Sequence, residues 1–200
     1  VAEGAGSVLD LSSLQTLNDG FNSGDCCNYF HLIRAVSGGR IDLSGLDTII
    51  GPSRFDRLDI SVDAASTLDL TSLAEIRRTH AEGLVRFFIS APTFSLPALV
   101  TAENTEFHVS AGSTLSLPAL TTLSGVYFNM AAGSVLNVPS LNTLDGGTWT
   151  IPAGATVNAD NLGTVNNVAL NIGDGATLNA PLLDTFTRSY LELTPFRVFN

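Results

Sequence analysis

The chain contains no lysine. Its nine basic residues are all arginine and stand against 19 acidic ones, giving a formal net charge of −10. A surface this acidic repels phosphate backbones and anionic headgroups, which argues against nucleic acid and against membrane insertion or surface binding. Cysteine and histidine are scarce: two cysteines, adjacent as Cys26 and Cys27, and three histidines. No CxxC spacing exists, which argues against a zinc site, and neighbouring cysteines close a disulfide only as a strained small ring. Two free thiols, a vicinal disulfide and a bridge to another chain all stay open. No apolar run approaches the roughly 18 residues that a membrane-spanning helix needs. The opening "VAEGAGSVLDL" has neither a basic n-region nor an apolar h-region, and reads as a mature secreted chain or a segment of a longer one. GxSxG, HExxH, P-loop and dinucleotide fingerprints are also missing.

What the chain does have is apolar material and repetition. Hydrophobic residues make up 44% and charged ones 14%, enough for a core and too apolar for general disorder. An LxLPxLxTL pattern begins at Leu9, Ile41, Leu68, Phe94, Leu115, Leu136, Val157 and Leu178, at intervals of 32, 27, 26, 21, 21, 21 and 21 residues. Equal intervals with the same residue types at the same offsets define a tandem-repeat chain. It reads as one continuous domain over 1–200, with longer, loop-bearing coils over 1–93 and regular 21-residue coils over 94–200.

Each unit opens with an apolar-polar-apolar triplet such as "LSL" or "LNV", the period of a strand with one buried face. A second triplet follows at 107–109, 128–130, 149–151, 170–172 and 191–193. Gly112, Gly133, Gly154 and Gly175 recur at one offset and mark turns. Pro97, Pro118, Pro139 and Pro181 cannot donate a ladder bond and mark the corner after the first strand. Two short strands per unit, each paired in parallel with its copy in the next unit, predict an all-β fold: a single-stranded, right-handed parallel β-solenoid of about eight coils. At about 4.8 Å per coil the rod would be roughly 38 Å long. One coil cannot stand alone. Its six or so inward side chains contribute about 1.5–3 kcal/mol each, against about 1–2 kcal/mol per fixed backbone residue, so stacking must supply stability. The alternative fold is a leucine-rich-repeat or L-domain-like solenoid. That repeat needs asparagine or cysteine where this chain has Leu120, Leu141 and Leu162, and it closes with a helical turn rather than a strand.

Stacking turns each offset into a column. One column runs Asp10, Asp42, Asp69, Ser95, Ser116, Asn137, Asn158, Asn179; its carboxylates are calcium candidates, or simply polar groups facing water. The column Thr16, Thr48, Thr101, Thr122, Thr143, Thr164, Thr185 is expected at a corner, where hydroxyls satisfy the turn backbone; an ice-binding array is its other reading. Outward positions of the second strand carry Glu106, Tyr127, Thr148, Ala169 and Tyr190 in one file, and His108, Asn129, Thr150, Asn171 and Glu192 in the next. Tyrosine rings stack on sugars and polar side chains bond hydroxyls, which makes Tyr127, Asn129, Thr148, Tyr190 and Glu192 carbohydrate-binding candidates. Trp149 falls on the inward side and is expected in the core.

The early coils carry extra residues at 18–31, 51–57 and 77–86, and seven of the nine arginines lie between 34 and 86. Loops on a rigid scaffold are common places for function. Arg77, Arg78, His80 and Arg86 are therefore candidates for binding an acidic sugar or a partner's carboxylates. With Glu82 they are also the set a polysaccharide lyase would use.

"GSTLSLPALTTLSG" and "GATLNAPLLDTF" resemble the LPxLTTL-type tandem repeats of very large bacterial secreted and cell-surface proteins, a likeness covering residues 7–193. A more distant likeness is to the L-domain repeats of receptor ectodomains and fungal wall proteins. The resemblance implies an extracellular stalk, adhesin or matrix segment within a longer multidomain chain. The expected function is a non-enzymatic structural or adhesive module. Its expected partners are polysaccharide or another surface protein, and the neighbouring domains of the same chain; calcium is its only candidate cofactor. Bare ladder ends invite end-to-end association. The alternatives are a polysaccharide-acting β-helix enzyme and an ice-binding β-solenoid.

Overall fold

The computed structural model describes residues 1–20 and 29–193, without the side chains of 192 and 193. Cys26, Cys27 and the closing residues 194–200 lie outside the described residues.

The described residues form short strands and no helix, and every strand pairing is parallel. The chain is a parallel β-solenoid. A leucine-rich repeat would need helical turns in the second half of each unit, where strands stand instead.

Each coil carries three strands rather than the two expected. The first face holds Ala2–Glu3, Phe30–Val36, Arg57–Val62, Leu84–Ile89, Thr105–Val109, Tyr127–Met130, Thr148–Ile151, Ala169–Ile172 and Tyr190–Leu193. The second holds Val8–Asp10, Arg40–Asp42, Thr67–Asp69, Thr93–Ser95, Thr114–Ser116, Val135–Asn137, Thr156–Asn158 and Thr177–Asn179. The third, unforeseen, holds Thr16–Asn18, Thr48–Ile50, Glu75–Arg77, Thr101–Glu103, Thr122–Ser124, Thr143–Asp145, Thr164–Asn166 and Thr185–Thr187. The threonine column therefore opens strands on a flat face instead of marking a corner. The middle residue of most of these triplets, Leu144 or Val165 for example, points inward and is buried, while Leu17 and Leu123 are half-buried and Phe186 in the last coil is exposed.

Pairing follows the repeat. Leu9, Ile41 and Leu68 are successive partners, as are Phe94, Leu115, Leu136, Val157 and Leu178. Pro97 sits in the turn that follows Thr93–Ser95, the corner its missing N–H dictates. At another corner Asn104, Gly125, Gly146, Asn167 and Arg188 share one offset and all have positive φ, 42°, 64°, 75°, 55° and 50°. Glycine and asparagine tolerate that left-handed backbone best. The three insertions are shorter than the sequence suggests, because Phe30, Arg57 and the segment 84–86 already belong to first-face strands. Each falls in the chain between a third-face strand and the next first-face strand; residues 21–28 of the first lie outside the described residues. Gly83 ends one of them so close to the preceding coil that a Cβ would collide with the Pro52 carbonyl.

Inward residues of all three faces merge into one core. Its centre is an aromatic ladder: Phe107 stacks on Phe87 at 5.1 Å and on Phe128 at 5.4 Å, and Trp149 meets Phe128 edge-on at 5.3 Å. Such pairs add to the area they bury. Trp149 is in the core, as its offset indicated.

The ladder is interrupted between the fifth coil (115–135) and the sixth (136–156). The first face ends one sheet at Tyr127–Met130 and starts another at Thr148–Ile151; the third does the same between Thr122–Ser124 and Thr143–Asp145. Only the second face runs through, by Thr114–Ser116, Val135–Asn137 and Thr156–Asn158. Two local features explain the break. Pro152 has no N–H to donate where Ser110, Ala131 and Gly173 donate to Ile89, Val109 and Ile151. Gly147 stands where the adjacent coils have Val126 and Val168, removing an inward side chain from that rung.

Candidate functional site

The outward side of the first face is the widest surface on which the candidate residues meet. Alternation sends Leu32, Asp59, Arg86, Glu106 and Tyr127 outward in one file, and Arg34, Ser61, Phe88, His108 and Asn129 in the next. Thr148 with Tyr190, and Thr150 with Asn171, continue these files beyond the interruption.

The two ends of this face differ chemically. In the early coils several cations are already partnered, while Arg34, exposed in the second file, has no ion pair or ring contact among the described residues. Arg86 donates to both oxygens of Asp59 at 2.8 and 2.7 Å and lies over the Phe88 ring at 5.1 Å; Arg57 covers Phe30 at 4.3 Å. Phe88 in turn stacks on His108 at 4.6 Å, and His108 contacts Glu106 at 3.0 Å. This network rigidifies the face and leaves Arg86 no free fork for an anion.

The basic set does not converge. Arg77 ends a third-face strand and pairs with Glu75 at 2.6 Å, a contact that lowers the Glu75 pKa. Arg78 and His80 belong to the following loop; the Arg78 backbone N–H donates to Glu103, and His80 Nδ1 faces Glu82. Arg86 lies mid-strand on the first face, bonded to Asp59. The four occupy three different elements, and no hydrogen bond or ion pair joins any two of them.

In the later coils the face is open. Tyr127 and Tyr190 are 47% and 60% exposed, with Asn129, Thr148, Thr150 and Asn171 beside them. The backbone of Glu192 pairs with Asn171; its side chain lies outside the described residues. Two shallow depressions follow the polar file, one of about 390 Å³ beside His108, Asn129 and Thr150, the other of about 440 Å³ beside Thr150, Asn171 and Asp174. Together they make a groove along the rod axis.

The aspartate column is in register, Asp10 with Asp42 with Asp69, but each carboxylate is engaged by its own turn. Oδ1 of each accepts a backbone N–H two residues on, from Ser12, Ser44 and Thr71. The Ser44 hydroxyl, the Arg40 guanidinium and the Ser44 N–H hold Asp42 at about 2, and Ser12 lowers Asp10. No group of three or more histidines, cysteines or acids arranged for a metal occurs among the described residues. Further down the column, Asn158 and Asn179 donate to Asn137 and Asn158 at 2.7 and 2.6 Å, an amide ladder knitting three coils. The threonine column also differs from expectation. Thr48, Thr143 and Thr185 hydroxyls bond the side chains of Asp47, Asn142 and Asp184 rather than the turn backbone.

Sequence reasoning missed Asp19 and His31, which contact each other through Oδ1 and Nδ1; Asp19 is buried, and burial pushes its carboxyl up. Both fall in the segment read as an insertion, where no period exposes their proximity. No family model, curated protein or solved structure matches the chain.

Proposed function

We propose that this chain is a non-enzymatic adhesive module of an extracellular or cell-surface protein, and that it binds a polysaccharide along the outward side of its first face. The groove past His108, Asn129, Thr150 and Asn171, with the exposed rings of Tyr127 and Tyr190 in the neighbouring file of the same face, carries this reading. A file of hydrogen-bonding side chains, in register from His108 to Asn129 and again from Thr150 to Asn171, suits a ligand that repeats, and exposed tyrosines suit the apolar faces of sugar rings. Arg57, Arg77 and Arg86 of the early coils, already joined to carboxylates or rings, brace the scaffold, while Arg34 stays exposed without an ion pair. The acidic, lysine-free composition fits a neutral polymer better than an anionic one.

A glycan array probed with the chain tests this. Binding to neutral glycans is expected, weakened about tenfold or more, roughly 1.4 kcal/mol, when Tyr127 and Tyr190 are both changed to alanine. An array without signal, or binding indifferent to both tyrosines, would reject the reading.

A further inference from the structure

The interruption between the fifth and sixth coils opens a cavity of about 220 Å³. It is far larger than the 10–15 Å³ that admits one water and below the 300–1,000 Å³ typical of drug-sized ligands, so it suits a single ring. It is also more enclosed than the depressions along the outer groove.

Its lining is amphipathic. Leu123, Leu144 and the Trp149 ring supply apolar wall, Tyr127 and Thr148 form the rim, and Asp145 supplies one carboxylate. Asp145 Oδ1 accepts from Asn166 at 2.8 Å, and Oδ2 of this exposed side chain stays available. Trp149 is only 5% exposed, and its indole N–H, which makes no hydrogen bond with any described residue, is not sealed from solvent. Backbone groups at the same place lack the rungs their equivalents have. Asn104 and Gly146 donate to Ser124 and Asn166, and Ala169 and Tyr190 to Gly147 and Val168, but Gly125 and Thr148 have no counterpart bond. The Asp145 and Val126 carbonyls are left open in turn. Gly125, Asp145 and Thr148 are exposed and Val126 is half-buried, so these groups face water at the cleft mouth, where a ligand's hydroxyls can take the place of water.

We infer that this cleft is a subsite for one ring of a neutral sugar. Aromatic and leucine walls take the apolar face of a pyranose, while its hydroxyls meet donors from Gly125, Thr148 and the indole and acceptors from Asp145 and Val126. One carboxylate disfavours a uronate, and it is too few for calcium, which takes six to eight oxygens. Tyr127 and Thr148 belong both to the cleft rim and to the outer face, so a chain lying in the groove can place one ring or branch here. The inference rests on the carbohydrate reading above and specifies where that ligand is gripped.

Trp149 is the sole tryptophan, so its emission reports on the cleft alone. The chain is titrated with cellohexaose, xylohexaose and mannohexaose in turn, followed both by calorimetry and by tryptophan emission. For at least one of them, an emission shift saturating in step with the heat is expected, with affinity reduced tenfold or more in Asp145→Ala. Asp145→Asn, which keeps an acceptor for Asn166 and guards against misfolding, should weaken binding in the same direction. Binding with unchanged emission and no response to either variant would overturn the cleft and leave the outer-face reading standing. No heat with any of the three would overturn both.

Discussion

Replacing Phe107 by alanine should be among the most damaging single changes in this chain. The ring is fully buried and stacked between Phe87 and Phe128 at 5.1 and 5.4 Å. Removing a buried phenylalanine costs about 3–5 kcal/mol, from lost transfer free energy and the cavity left behind. For a chain of this length each kcal/mol lowers Tm by about 2–4 °C, so a fall of roughly 6–20 °C is expected. Phe107→Leu separates stacking from burial: it keeps most of the apolar volume but loses two ring pairs, each about 0.5–1.5 kcal/mol, for a total near 1–3 kcal/mol. Tyr190→Ala, on the exposed face, should stay within about 0.5 kcal/mol of the parent. Thermal and urea unfolding followed by circular dichroism give all three values. An alanine variant within about 1 kcal/mol of the parent, or a leucine variant as damaging as the alanine one, would refute the stacked interior.

Other perturbations probe separate parts of the coil. Arg86→Ala strips Asp59, a side chain 19% exposed, of two charge-assisted hydrogen bonds and should cost about 1.5–3 kcal/mol in urea unfolding. Arg86→Lys should recover only part of that, since an ammonium cannot reproduce the two-pronged contact. Gly83→Ala should cost more than about 2 kcal/mol, because its Cβ would strike the Pro52 carbonyl. Gly112→Ala, with open space but φ of +74°, should cost nearer 1–2 kcal/mol. Asp42 should titrate at about 2 by carboxyl NMR, moving up toward 3.8 in Ser44→Ala. Its folded-state pKa lies below the unfolded one, so its stabilising contribution is present above about pH 4 and lost as pH falls through 2. A normal Asp42 titration would show that the turn does not hold the carboxylate.

The register of the coils was legible because one apolar position per strand recurs at a constant interval, and parallel pairing converts that interval directly into contact. Leu115, Leu136, Val157 and Leu178 are partners for that reason. The third face was hidden by its brevity. Triplets such as Thr122–Ser124 offer a single inward residue, too little for an alternation to be seen, and their leading threonines look like turn formers. The early insertions blurred strand starts similarly, so that Phe30 and Leu32, exposed on Phe30–Val36, were not read as part of the face. Among the site residues, Tyr127, Asn129, Thr148 and Tyr190 were placed on one surface by their offsets alone. The arginines were grouped only by closeness in sequence, and the fold distributes them over three elements. The cleft had a signal that was readable in retrospect: "DGG" and Pro152 break the sixth repeat where its neighbours read "SGV" and "NNV".

The most direct measurement is an amide chemical-shift map of the ¹⁵N-labelled chain, titrated with the neutral glycan that binds best on the array. Shifts concentrated in Tyr127–Met130, Thr148–Ile151 and Ala169–Ile172 are the expected result. Shifts confined to the loop 78–83 or to the second face, with those three strands unmoved, would contradict it.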